Sequence, residues 1–230
     1  MRDRTRRSFM RLTTTLFLRG ICALILLCAA GAAVADDDGG LSEQEDEVLK
    51  KLKEEMTDIS TVAASFTQEK QFGVMDRTMR IQGHMAIEKP GQLAWHVDEP
   101  VRYRVVIREA ELRQWDEDTD QVNTLDLEDN PGPGAMFQQL TLWLSGDYEP
   151  LLDTYSMDVL NTNPIKLKFI PREDSMFDDM LKHVIMSFSE DAKYLETLTI
   201  HEENDSISTI TFQDAVLNEE IEDDKWEVKP

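Results

Sequence analysis

Cysteine is almost absent from this 230-residue chain: it has two, Cys22 and Cys28, and both lie in the first 35 residues. That segment opens with arginines at 2, 4, 6, 7 and 11 and continues through the apolar stretch ICALILLCAAGAAV (21–34). It ends at Ala33-Val34-Ala35, the small-residue pattern at which secretory signal peptides are cut. The uninterrupted apolar run after Arg19 is shorter than the ~20 residues a bilayer span needs, so cleavage after Ala35 is expected rather than a retained anchor. Ile21 and Leu27 precede the two cysteines, where lipoprotein processing requires a small residue, so no lipid-modified N-terminus is expected. A single mature domain over 36–230 then holds no cysteine. Disulfides, thiol nucleophiles and cysteine-bound metals are excluded from it, whatever the redox state of its compartment.

Positive charge is scarce too. The chain has 24 Lys and Arg against 46 Asp and Glu; losing residues 1–35 removes six arginines and one aspartate, leaving 18 against 45, a formal −27. Such a field keeps a protein soluble and repels nucleic acid and anionic membrane surfaces, so nucleic acid is excluded as a partner. Histidine is thin: His84, His96, His183 and His201 all sit in strand-like segments among acids, with no HxH or HExxH spacing. His84, His96 and Asp98 across a hairpin come nearest to a ligand cluster. Solvent-facing strand residues are the better reading of all four histidines, and no metal or other cofactor is expected. There is no GxSxG, and the acid runs DDDGG, WDEDTD and NEEIEDD read as solvated loops without a distinctive carboxylate pair. No catalytic residue is assigned, and an enzyme is not expected.

What is present is periodicity. Ser42-Glu43-Gln44-Glu45 is a capping-box pattern, and Val48, Leu49, Leu52, Met56 and Ile59 follow at helical spacing on a charged helix. TVAASFTQEKQF (61–72) changes to β-branched and aromatic residues, the mark of a first strand. Alternation then persists: Ile81, Gly83, Met85, Ile87; Leu93, Trp95, Val97; and Tyr103, Val105, Ile107, the last broken by Val106. Short runs at 111–116 and 121–127 lead to DNPGPG (129–134), which ends any pairing. Met136, Phe137, Leu140, Trp143 and Leu144 then fit a short apolar helix, and PLLDTYSMDVL (150–160) has no single period. Strands resume at 165–171, 181–188, 194–202 and 206–216, before an acidic tail whose only large apolar anchor is Trp226. This pattern predicts a mainly β (α+β) fold: a strongly curved antiparallel sheet or incomplete barrel with helices packed on one side. Nine of the eleven methionines lie beyond residue 35, and methionine suits pliable apolar interiors; ordinary core explains them equally well.

The ordered set Ser65, Phe66, Gln68, then Gly83, Lys89, Pro90, Leu93, Trp95 and Pro100 resembles the periplasmic outer-membrane lipoprotein carriers of the LolA type, and Ile221, Trp226 and Pro230 echo that family's closing strand. The resemblance implies an unclosed antiparallel β-barrel with a helical lid over an apolar cavity. It implies a monomer in the periplasm that shields the acyl chains of lipoproteins, or related lipids. Its partners would be an inner-membrane release complex and an outer-membrane acceptor. On that reading Met85, Ile87, Leu93, Trp95, Tyr103, Val105, Ile107, Phe137, Leu140 and Trp143 line or lid the cavity. The family's arginine before the proline, which ties barrel to lid, is Lys89 here. Lysine keeps the charge and loses the planar fork, so a lid latch at Lys89 would be weaker or built differently. Two rival readings stand beside the carrier. One is a lipid-sensing regulatory module of the cell envelope acting through protein partners. The other is a head-group enzyme, which would require His84 or His96 to face inward beside acids.

Overall fold

In the computed structural model the described residues are 41–73, 77–130, 139, 141–144, 146, 148–173 and 175–229. Residues 1–35, where a signal peptide is expected, and Met136, Phe137 and Leu140 lie outside them. Helix α1, Glu43–Thr57, starts as its sequence requires: the Ser42 hydroxyl accepts from the Glu45 backbone N–H at 3.4 Å, and the Glu45 carboxylate accepts from the Ser42 N–H at 2.8 Å. Its buried stripe is Val48, Leu49, Leu52 and Met56.

Eleven strands follow: β1 Thr61–Gln71, β2 Thr78–Glu88, β3 Gln92–Glu99, β4 Tyr103–Arg108, β5 Glu111–Asp116, β6 Gln121–Asp126, β7 Tyr155–Thr162, β8 Ile165–Pro171, β9 Leu181–Phe188, β10 Leu195–Glu202 and β11 Ile207–Leu217. They form one antiparallel sheet in the order β6-β5-β4-β3-β2-β1-β11-β10-β9-β8-β7. Two meanders are joined where β1 pairs with β11, and β6 and β7 are left as unpaired edges. The barrel is therefore unclosed. Register shifts, which let a sheet bend, occur in β1–β11 at Ala63/Ser65 and in β2–β3 at Gln82/Gly83. Residues 127–154 join the two edge strands, so the chain between β6 and β7 passes from one side of the opening to the other.

Register decides which side chains share the inner face. Ile87, Leu93, Ile107 and Leu112 form one cross-strand row; Met85, Trp95, Val105 and Gln114 form the next. In the other half Ile210, Leu198, Met186 and Leu167 continue the same surface. Two expectations need correction. The mixed stretch at 150–160 resolves into a 3₁₀ turn, Glu149–Asp153, followed by β7, where Tyr155 and Met157 point inward. The C-terminal tail is not a strand: β11 ends at Leu217, and Asp223–Trp226 is a 3₁₀ turn. Trp226 and Val228 pack on the outer face of the sheet with Ala86, Ala94, Val106 and Trp115, so β2–β5 are covered on both sides.

At the end of the inner face remote from the β2–β3 turn, Lys70 of β1 pairs with Glu202 of β10, with only 7% and 5% of their side chains exposed. Removing one member of such a pair strands a buried charge, whereas replacing both does not. Glu202→Ala is expected to lower stability by about 3 kcal/mol in urea unfolding. The double variant Lys70→Met, Glu202→Leu is expected to recover most of that loss.

Candidate functional site: the concave face and its lid

The centre of the concave face is a three-ring stack. Phe66 lies on Trp95 with centroids 4.1 Å apart and 28° between planes, and Phe212 meets Trp95 edge-on at 6.3 Å. Gly83 makes this possible. A Cβ there would collide with the His96 carbonyl and the Phe66 ring, so the glycine lets an aromatic lie flat against the strand. The separated motif residues Phe66, Gly83 and Trp95 are thus one packing unit.

Over this surface lie α1 and the segment that crosses the opening. Met56, Trp143, Leu144, Tyr148 and Leu151 join the same apolar core as the sheet. The Tyr148 hydroxyl donates to the Trp143 carbonyl at 3.4 Å, and burial pushes that phenol well above its ordinary value. Gly146, at φ +86°, brings the backbone against Met56, where any side chain would clash. Gln114, Gln139 and Trp143 each bury a side-chain polar atom that has no hydrogen-bond partner among the described residues. Between Met56 and Leu144 of the lid and Val62, Ala64, Met85 and Phe212 of the sheet, with Tyr194 and Leu195 at its side, lies a cavity of about 10 Å³, room for about one water. There the lid packs closely on the concave face.

Of the residues the sequence nominates, Met85, Ile87, Leu93, Trp95, Tyr103, Val105, Ile107 and Trp143 all belong to this buried inner cluster. Phe137 and Leu140 lie outside the described residues. Among the described residues of the set Met85 borders this cavity; Met56, Val62, Ala64, Leu144 and Phe212, which also line it, were not nominated from the sequence as wall residues. Their signal was the alternation of Val62, Ala64 and Phe66 in TVAASF and of Ile210 and Phe212 in TITF.

Lys89 sits in the β2–β3 turn, which is completed by Gly91 at φ +76°. Its ammonium donates to the Met56 carbonyl, in the last turn of α1, at 3.0 Å. The helix has three acids in its first turn and no base in its last, so Lys89 supplies from another element the cation its C-terminus lacks. The same turn donates the Lys89 backbone N–H to the Ser60 carbonyl at 2.9 Å.

The histidines depart from expectation. His96 is 1% exposed, not solvent-facing, on the outer face of the sheet where the tail's Trp226 and Val228 also pack. Its Nδ1 is 3.0 Å from His84 Nε2, and His84 Nδ1 is 3.1 Å from Asp98 Oδ2. These groups lie on the outer face, opposite in parity to Met85 and Trp95, so they do not face inward as a head-group enzyme would need. His183 and His201 stack at 4.1 Å on the outer face of the other half. No group of three or more potential ligands able to hold a metal occurs among the described residues.

The fold is therefore an unclosed, lidded antiparallel barrel, and sequence comparison supplies its family. The profile described as "Outer membrane lipoprotein carrier protein LolA" matches residues 57–229, and the chain belongs to that family. It is 26% identical over 185 residues to an outer-membrane lipoprotein carrier protein of Francisella philomiragia, covering 80% of this chain and 83% of that one. It is 24% identical over 166 residues to one of Chromohalobacter salexigens, covering 71% and 74%. An uncharacterized conserved protein of Thermus thermophilus shares the fold at 8% identity and TM-score 0.51, covering 80% of this chain and 94% of its own. Among the described residues no helix is long and apolar enough to cross a membrane.

Removing the Lys89 ammonium takes away one charge-assisted hydrogen bond and the favourable charge at the helix terminus, together worth about 1 kcal/mol. In Lys89→Ala, hydrogen exchange in the last turns of α1 is expected to quicken while that of β9 and β10 is unchanged.

Proposed function

We propose that this chain is a periplasmic carrier that takes up acyl chains of lipoproteins, or of a related lipid, against its concave face and releases them to an acceptor at the outer membrane. One observation carries the reading: an apolar concave face spanning both meanders is covered by α1 and side chains of the β6–β7 connection instead of being closed by pairing of β6 with β7. The lid side chains Met56, Trp143 and Leu144 occupy the volume that acyl chains would take. Uptake then exchanges one apolar packing for another. Each buried methylene is worth roughly 0.8 kcal/mol, so an open preformed pocket would hold a full chain too tightly to pass on. A face that must first shed its own lid returns part of that energy at release, which suits a transfer protein. Lys89 is the latch in this scheme, joining the rim of the sheet to the end of α1. Leu93, Trp95, Tyr103, Val105 and Ile107 provide the wall, with Met85 and Ile87 beside them.

The test uses the mature protein and a fluorescent long-chain fatty acid. Wild type is expected to bind it, and Trp143→Ala to bind it more tightly because the lid fills less space; Leu93→Glu, which puts a carboxylate into the buried wall, is expected to lower both the binding and the circular-dichroism melt. A wild-type protein that neither binds the probe nor copurifies with lipid would overturn the reading.

A further inference from the structure

The small apolar cluster on the outer face has no part in the concave site. Several contacts hold the tail over it. The Arg108 guanidinium lies 5.3 Å from the Trp226 ring centroid, Arg104 donates to the Glu227 carbonyl at 3.3 Å, and Lys229 pairs with Asp120 at 3.0 Å. Asp120 also accepts from the Trp115 indole at 3.0 Å, so the tail and the tryptophan beneath it share one anchor.

His96 is buried beneath this arrangement. The donors and acceptors along its chain can be assigned from chemistry. The Asp98 carboxylate accepts, so His84 donates from Nδ1; His84 Nε2 then accepts from the Nδ1–H of His96. That leaves His96 Nε2 as a bare lone pair, buried with no hydrogen-bond partner among the described residues. A proton placed there would find no acceptor. It would also create a charge facing Arg104 of β4 and Lys225 of the tail, with His84 of β2 alongside and Asp98 reached only through His84.

We propose that residues 218–229 form an acid-released clasp, which stays on the sheet while His96 is neutral and lifts when His96 is protonated, uncovering the apolar strip of Ala86, Ala94, Val106 and Trp115. The direction follows from linkage. Docked, His96 is held down at about 3, first by burial and then by His84, Arg104 and Lys225. Lifting the tail removes Lys225 and the tail's share of the burial, while His84 and Arg104 stay in the sheet, so the value rises from there toward the ordinary 6.5. Lifting the tail therefore takes up a proton. Docking is at full strength above pH 6.5 and weakens as the pH falls from there toward 3. Between pH 7.5 and pH 5 the undocked-to-docked ratio rises, by about thirtyfold at most.

The mature chain has no cysteine, so Val228→Cys, at a buried tail position, provides a single thiol whose reactivity reports undocking. Its rate with dithiodipyridine, divided by that of a free peptide of the same tail sequence at the same pH, gives the undocked fraction. Expected is a severalfold rise from pH 7.5 to pH 5, with about thirtyfold as its ceiling. The rise should vanish when His96→Gln or the more apolar His96→Leu is added, and survive in His84→Gln. Reading two replacements guards against one that loosens the tail at every pH. A ratio independent of pH in the otherwise wild-type background, or an undiminished rise in both His96 variants, would overturn the proposal.

Discussion

The pairing of β1 with β11 is the contact on which the rest of this architecture depends. Each meander alone is an open ribbon with an apolar side. Joined through Val62–Leu217, Phe66–Phe212 and Gln71–Ile207, they become one curved sheet whose two apolar sides face the same concavity. The join also decides where the edges fall. Because β6 and β7 are consecutive in sequence and lie at opposite ends of the sheet, their connection has to traverse the opening. The lid is thus a topological product of the strand order before it is a matter of composition. Phe66 lies within that seam, which is why the stack of Phe66, Trp95 and Phe212 forms where the two halves meet.

Polar groups are distributed as the apolar surface requires. Inside, the ion pair of Lys70 and Glu202 is confined to the end of the barrel away from the lid. At the lid end Lys89 donates to the Met56 carbonyl and Lys53 of α1 pairs with Glu149 at 3.0 Å. Outside, four arginines of an otherwise acidic protein, at 102, 104, 108 and 113, come from β4, β5 and the turn before β4, and two of them contact the tail. The N-terminal meander is in this way packed on both faces, while the outer face of the C-terminal meander carries Thr197, Thr199, Thr209 and Thr211 toward solvent.

Much of this was legible in the residues. Strand spacing, the capping box at Ser42 and the alternation through Met85, Ile87, Leu93 and Trp95 locate ten of the eleven strands and the inner wall. β7 escaped because its alternating Tyr155, Met157 and Val159 follow directly on the apolar 3₁₀ turn at 149–153, which blurs the period. The tail escaped for a different reason. Period-two reasoning assigns one face of each strand to water, yet Ala86, Ala94 and Val106 lie on that second face, and Val106 was the visible exception. Small apolar residues at outward positions are a faint sign that something covers them. His96 is buried on that same covered face, so no local pattern could report it. Nor could the packing of the interior be read from sequence, since the same side chains would line a cavity or pack a core.

The connection between β6 and β7 has one further consequence. On the proposed carrier reading, a lid fastened to both edges of the sheet cannot diffuse away on lifting, so it remains beside the concave face at a high effective concentration. Anything bound there is in standing competition with an intramolecular rival, and its observed affinity is a ratio between the two. Changes that shorten, stiffen or loosen residues 127–154 would retune retention without touching a single wall residue.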